Sequence, residues 1–88
     1  MVSRYGGEEF AVLLPHCTKH KAVQLAEQIR KKVESQELLL RREKTRVTIS
    51  IGVGSFPQDG QLKEDIIFKA DKALYKAKQE GRNRTCAA

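Results

Sequence analysis

An α+β or α/β layer fold is what the sequence predicts, on three observations. Apolar residues switch between strand-like and helix-like spacing in the order strand, helix, strand, helix, with room for a short final strand. Turn formers sit at the switches: Gly6-Gly7, Pro15, the run from Pro57 to Gly60, and Gly81. The 88 residues, 40% of them hydrophobic, are enough for one small core and not two, which makes a single domain of marginal stability, or a piece of one, the expectation.

Glu9 to Leu14 is apolar after its first residue and is stopped by Pro15, which predicts a short strand buried on both faces. Gly6-Gly7 then reads as a hairpin turn whose first strand is confined to Met1 to Tyr5, near the lower limit of ordinary strand length, so the buried strand is left short of a partner. Thr18 is placed to cap a helix in which Ala22, Leu25, Ala26, Ile29 and Val33 form one apolar stripe, with Gln24, Gln28, Lys31 and Lys32 on the wet side. Leu38-Leu39-Leu40 can extend that helix or enter the next strand, and Gln36 to Thr45 is read as a connecting segment. From Val47 the spacing becomes two, with Val47, Ile49, Ile51 and Val53 on one face and Thr48, Ser50, Gly52 and Gly54 on the other. A second helix follows the Pro57 to Gly60 turn, joining Leu62, Ile66, Ala70, Ala73, Leu74 and Ala77 on one face, and Gly81 ends it.

The formal net charge of +6 favours an anionic partner: nucleic acid, an acidic lipid surface or a nucleoside triphosphate. Few aromatic residues interleave with the cations, which argues against nucleic acid. Cys17 and Cys86 form neither a CxxC pair nor a histidine-rich cluster, so a disulfide framework and a zinc site are both unsupported and a reducing cytoplasm is the simplest compartment. No apolar run approaches the roughly 20 residues of a membrane helix, and the start lacks a signal-peptide layout. No membrane contact is expected from this segment.

The grouping that carries chemistry is Gly6-Gly7-Glu8-Glu9. Glycines allow a close backbone approach to phosphate and supply N–H donors, and hard carboxylate oxygens suit Mg²⁺ bridged to phosphate. Adjacent strand residues point to opposite faces, so only one glutamate can aim directly into a given site unless the turn rotates them. The competing reading is an ordinary surface turn, since short glycine-acid runs are common. The second grouping is basic: Lys72, Lys76, Lys78, Arg82 and Arg84 at and beyond the end of the last helix. Cations there complement the helix dipole without any further role. Lys78 and Arg82, around Gly81, are spaced so that they can converge on a triphosphate.

Three stretches resemble the GGDEF family of diguanylate cyclases, in the family's order and across nearly the whole chain. Tyr5-Gly6-Gly7-Glu8-Glu9-Phe10 is similar to the GGDEF/GGEEF motif, Val47 to Pro57 (VTISIGVGSFP) to the strand that follows it, and Ala70 to Arg84 (ADKALYKAKQEGRNR) to the terminal helix. The resemblance implies a truncated ferredoxin-like palm of the nucleotide cyclase and polymerase type, with residues 1–88 as the C-terminal half of the domain, beginning just before the GGEEF hairpin. It also implies condensation of two GTP molecules to cyclic di-GMP with release of two pyrophosphates, assisted by Mg²⁺ or Mn²⁺.

Carried over by position, Gly6 and Gly7 lie against the nucleotide, Glu8 assists deprotonation of the attacking 3′-hydroxyl or binds metal, and Glu9 is a metal ligand. Lys78 and Arg82 match the family's phosphate-binding lysine and arginine and steady the triphosphate as pyrophosphate leaves. Attack on the α-phosphorus calls for metal ions that polarise phosphate oxygens and lower the hydroxyl pKa. Because the nucleophile of one GTP attacks the other, a second GGDEF protomer must face the first.

The family's first metal-binding aspartate, its guanine-reading residues and its inhibitory RxxD site all lie upstream of the glycines and are absent here, so this chain alone is expected to be inactive. A further product-binding arginine falls near Gln28, which is not basic, with Arg30 as the nearby cation. The alternative is a degenerate or partial module that binds GTP or mediates dimer contacts without catalysis.

Overall fold

The computed structural model describes residues 2–4, 10–12 and 14–88. Among these residues eight elements follow one another: β1 (Val2–Arg4), β2 (Phe10–Val12), α1 (Lys19–Ser35), β3 (Leu38–Leu40), β4 (Glu43–Thr45), β5 (Ile51–Val53), α2 (Lys63–Gln79) and β6 (Thr85–Ala87). The described strands form three two-stranded ladders, antiparallel β1–β2 and β3–β4 and parallel β5–β6. The mixed α+β class is as the sequence predicts, including the short final strand.

The β5–β6 ribbon organises the rest, because both helices pack on it and, among the described elements, neither packs on the other. Alternation along a strand decides which helix takes which face. A Cβ placed on Gly52 would fall 2.9 Å from the Leu74 Cα and closer still to the Ala70 carbonyl oxygen and the Leu74 nitrogen, so the Gly52 face lies against the backbone of α2. Thr85, opposite Ile51 in the parallel register, points the other way, and its hydroxyl donates to Glu27 of α1 at 2.8 Å. The arrangement is helix, sheet, helix. Gly52 and Gly54, which the spacing put on the polar side of the strand, are there because a helix backbone approaches too closely for any side chain.

Both helices begin and end for identifiable reasons. Thr18 is extended (φ −73°, ψ 159°) and its hydroxyl accepts from the Lys21 amide at 3.2 Å, the expected cap. On α1 only Ala26 is fully buried, and Ile29 of the expected stripe is half exposed. Helix α2 starts with Glu64 and Asp65 in its first turn and closes with Lys76 and Lys78 in its last, matching the dipole at each end. Leu62 is its cap position and is 63% exposed, so it does not join the buried face. Gly81, with φ +117°, ends the helix as predicted.

Three further expectations are corrected. The strand predicted over Val47 to Val53 is a ladder only at Ile51–Val53, because its partner β6 has three residues; flanking bonds from Ile51 N to Arg84 O (3.0 Å) and Ala88 N to Val53 O (2.8 Å) complete it. The segment Gln36 to Thr45 is not a plain connection but holds the β3–β4 hairpin, whose turn residues Arg41 and Arg42 both have positive φ (50° and 69°). The strand after the glycines is not buried on both faces: Val12 and Leu14 are 55% and 41% exposed, and no other described element covers the β1–β2 hairpin.

The core is correspondingly small. Its buried apolar residues among those described are Ala26, Val53, Ala73 and Ala77, with no large side chain fully enclosed. Polar ties supplement it. The buried Asp59 carboxylate accepts from the Ser55 amide (2.7 Å) and from Lys19 (2.9 Å to Oδ1, 2.8 Å to Oδ2), pinning the turn after β5 to the start of α1, and Lys19 also donates to the Ala88 carbonyl at 2.8 Å.

Candidate functional site

Gly6, Gly7, Glu8 and Glu9 lie outside the described residues. What the structure gives is their flanks: Arg4 pairs with Phe10 in the antiparallel β1–β2 ladder.

Lys78 and Arg82 are brought to one end of α2. Lys78 stands half-buried in the last turn. The chain then leaves the helix through Glu80 and Gly81, and the Arg82 amide donates back to the Ala77 carbonyl at 2.9 Å, the six-to-one bond of a Schellman ending. Three successive residues have positive φ: Gly81 (117°), Arg82 (63°) and Asn83 (46°). For a non-glycine residue that conformation costs about 1–2 kcal/mol, although asparagine tolerates it better than most.

The rest of the basic set is divided. Lys72 lies over the Phe68 ring, 5.4 Å from its centroid, an ordinary cation–π contact on an exposed helix face. Lys76 and Arg84 both reach Glu80, at 3.9 and 3.7 Å, and the Arg84 Nε donates to the Arg82 carbonyl at 3.1 Å. These three serve the surface and the helix end, as the structural reading of the cluster expects. No described carboxylate pairs with the Arg82 guanidinium.

Behind this turn is a polar network that sequence reasoning missed. Arg30 donates to both carboxylate oxygens of Glu27, Nε to Oε2 at 2.6 Å and Nη2 to Oε1 at 3.1 Å. Its Nη1 donates to the Asn83 Oδ1 at 2.9 Å and also approaches Glu34 at 3.8 Å. The Asn83 Nδ2 donates to Glu34, and the Asn83 backbone N–H donates to the Ser50 hydroxyl at 3.1 Å. The i,i+3 and i,i+4 spacing of Glu27, Arg30 and Glu34 was the available signal, but it reads as surface pairing until Asn83 is placed beside it. The guanidinium of Arg30 thus bonds within α1 and to the turn after α2.

This network leaves an electrostatic signature. The hydrogen bond from Arg30, then that from Thr85, hold the Glu27 carboxyl at about 2, below its usual 4.5, against the opposing effect of desolvation. Asp59 is likewise lowered, first by Lys19 and then by the Ser55 amide, again against desolvation. In each case the folded value lies below the unfolded one, so the stabilisation is fully present above the ordinary carboxylate range and is lost as pH falls through the folded value. The melting temperature of the chain is expected to fall progressively from about pH 4.5 toward pH 2, and Glu27→Gln to flatten that slope; an unchanged slope in thermal melts across this range would contradict the pairing.

For a divalent metal the donor set is a question of chemistry. Among the described residues no group of three or more His, Cys, Asp or Glu side chains is placed to hold one. Glu8 and Glu9 carry hard oxygen donors of the kind Mg²⁺ takes, and both lie outside the described residues. No described helix is long and apolar enough to cross a membrane.

A mixed α+β unit whose sequence carries a glycine-glycine-glutamate-glutamate run, with a lysine and an arginine at a helix end, defines a class, and comparison with known proteins agrees with it. Residues 1–84 match the family model for the diguanylate cyclase GGDEF domain; the chain belongs to that family. It is 49% identical over 82 residues to diguanylate cyclase A of Treponema denticola, an alignment covering 93% of this chain and 22% of that protein. Among solved structures, the active GGEEF domain of a diguanylate cyclase from Vibrio cholerae superposes with a TM-score of 0.88 at 37% identity, covering 98% of this chain and 54% of that one. The GGDEF domain of DgcB from Caulobacter crescentus, solved in complex with c-di-GMP, gives 0.83 at 34%, covering 98% and 50%. The chain thus spans about a fifth of the curated relative and about half of each solved chain.

Proposed function

We propose that this chain supplies the C-terminal half of a diguanylate cyclase domain of truncated ferredoxin-like palm type, beginning just before the GGEEF hairpin. Gly6 and Gly7 approach the nucleotide, Glu9 and in part Glu8 hold Mg²⁺ or Mn²⁺, Glu8 assists removal of the 3′-hydroxyl proton, and Lys78 with Arg82 hold the triphosphate. The metal, when bound, supplies charge neutralisation at the phosphates and acidifies the attacking hydroxyl. The chain's own part is to orient: glycines allow close backbone approach to a phosphate, and two cations at a helix end oppose its negative charge.

The observation that carries this reading is the likeness along 98% of the chain to a domain described as an active GGEEF domain, with Gly6-Gly7-Glu8-Glu9-Phe10 intact in the present sequence. Two GTP molecules must meet, so the working species is a dimer with two facing domains, placed in the cytoplasm where GTP is available. Incubating the full-length protein with GTP and Mg²⁺ is expected to yield cyclic di-GMP and pyrophosphate. Absence of product from a dimeric preparation would reject the cyclase reading.

The 54% coverage of the solved domain favours a second statement about these 88 residues alone. By themselves they bind phosphate groups or mediate contacts and carry out no condensation. Cyclic di-GMP made by the purified chain would overturn that.

A further inference from the structure

Arg82 presents its guanidinium from a backbone that is held on every side. Its N–H is bound to Ala77, its carbonyl to Arg84, and its C-terminal neighbour Asn83 is fixed through the backbone N–H by Ser50, through Oδ1 by Arg30 and through Nδ2 by Glu34. Arg30 is itself fixed by the two-point grip of Glu27, and Glu27 also accepts from Thr85 of β6. The turn these bonds secure contains two successive non-glycine residues at positive φ, a conformation the chain does not keep unaided. A planar guanidinium suits this task because its donors leave in fixed directions, two toward Glu27 and one toward Asn83.

We infer that Glu27, Arg30 and Asn83 are positioning residues for nucleotide binding, setting the left-handed turn from which Arg82 meets the polyphosphate. This rests on the reading of Arg82 as a phosphate contact. A network that only tied α1 to β6 has no need of Asn83, since the bond from Thr85 to Glu27 already joins those two elements. The bonds to Asn83 add control over the residue next to Arg82.

The test is the ratio of GTP to GMP affinity in the full-length protein, measured by calorimetry with Mg²⁺ and a non-reacting GTP analogue. A ratio cancels any loss of folded fraction and isolates the additional phosphates. Arg30→Lys keeps the charge and removes the fork; Asn83→Gly keeps access to positive φ and removes the side-chain bonds. Each is expected to lower the ratio roughly tenfold, as is Arg82→Ala, and Arg30→Lys is expected to add nothing in the Arg82→Ala background. Losses that simply multiply in the double variant would place the effect of Arg30 elsewhere and overturn the inference. A normal ratio in Arg30→Lys and Asn83→Gly beside a reduced one in Arg82→Ala would overturn the inference and leave the phosphate reading standing. A normal ratio in Arg82→Ala would remove both.

Discussion

Alanine at Gly52 is expected to abolish or severely lower the cooperative melt of this chain, by about 3 kcal/mol, or roughly 12–24 °C in melting temperature. The added Cβ would lie 2.9 Å from the Leu74 Cα and nearer still to the Ala70 carbonyl and the Leu74 amide. These are backbone atoms of α2, so no side chain can swing aside; β5 and α2 must separate. Separation would uncover Ala73 and Ala77, half of a core whose other buried apolar members are Ala26 and Val53 among the described residues. Gly54→Ala is the internal comparison, because its Cβ would meet a single backbone atom below 3.0 Å, the Ile66 carbonyl oxygen at 2.7 Å, with the Ala70 methyl group and nitrogen both at 3.3 Å. Its effect should be clearly smaller. Circular dichroism melts of the two variants check the order, and a Gly52→Ala melt within a few degrees of the parent would refute the close packing of β5 on α2.

Gly52 also shows where sequence reading stops. Period-two alternation from Val47 located the strand and assigned its faces, but a glycine carries no mark of what lies over it, and the helix that covers it is remote in sequence. Features decided within a few residues were legible: Thr18 caps α1 and Gly81 ends α2 because both act through local hydrogen bonds and φ preferences. The β3–β4 hairpin was not, since its turn uses Arg41-Arg42 where Asn-Gly or a similar pair is the usual sign, and three consecutive leucines show no alternation. Burial of the strand after the glycines was overestimated for a related reason: an apolar run states what a strand can be packed against, and the described elements bring nothing to Val12 or Leu14.

The candidate site divides along the same line. Lys78 and Arg82 were singled out as candidates from their spacing around one helix terminator, a short-range relation. The bonds that fix the turn bearing Arg82 link Arg30 to Asn83 and Ser50 to Asn83, across separations no local pattern reports. Charge counting likewise said nothing of partners: Lys72 lies over the Phe68 ring, and Lys76 and Arg84 both reach Glu80.

Glu9→Ala is expected to reduce cyclic di-GMP formation by the full-length protein roughly a thousandfold or more, the largest functional effect among the substitutions considered. The reasoning is chemical. Attack of a 3′-hydroxyl on an α-phosphate concentrates negative charge on the phosphate oxygens and the departing pyrophosphate, and each 1.36 kcal/mol of lost stabilisation is about a tenfold loss in rate. Alanine removes a hard anionic ligand and supplies nothing in its place, whereas Glu9→Asp keeps the carboxylate at a shorter reach and should retain measurable turnover at raised Mg²⁺. Glu8→Ala separates the two glutamates: if Glu8 serves the hydroxyl proton more than the metal, its variant should lose turnover while keeping Mg²⁺-dependent affinity for a GTP analogue, and Glu9→Ala should lose both. Product quantification paired with calorimetric Mg²⁺ titration reads the two effects independently. Near-normal turnover in Glu9→Ala would reject its assignment as a metal ligand, and unchanged Mg²⁺ dependence beside lost turnover would move Glu9 from holding the ion to orienting the nucleotide.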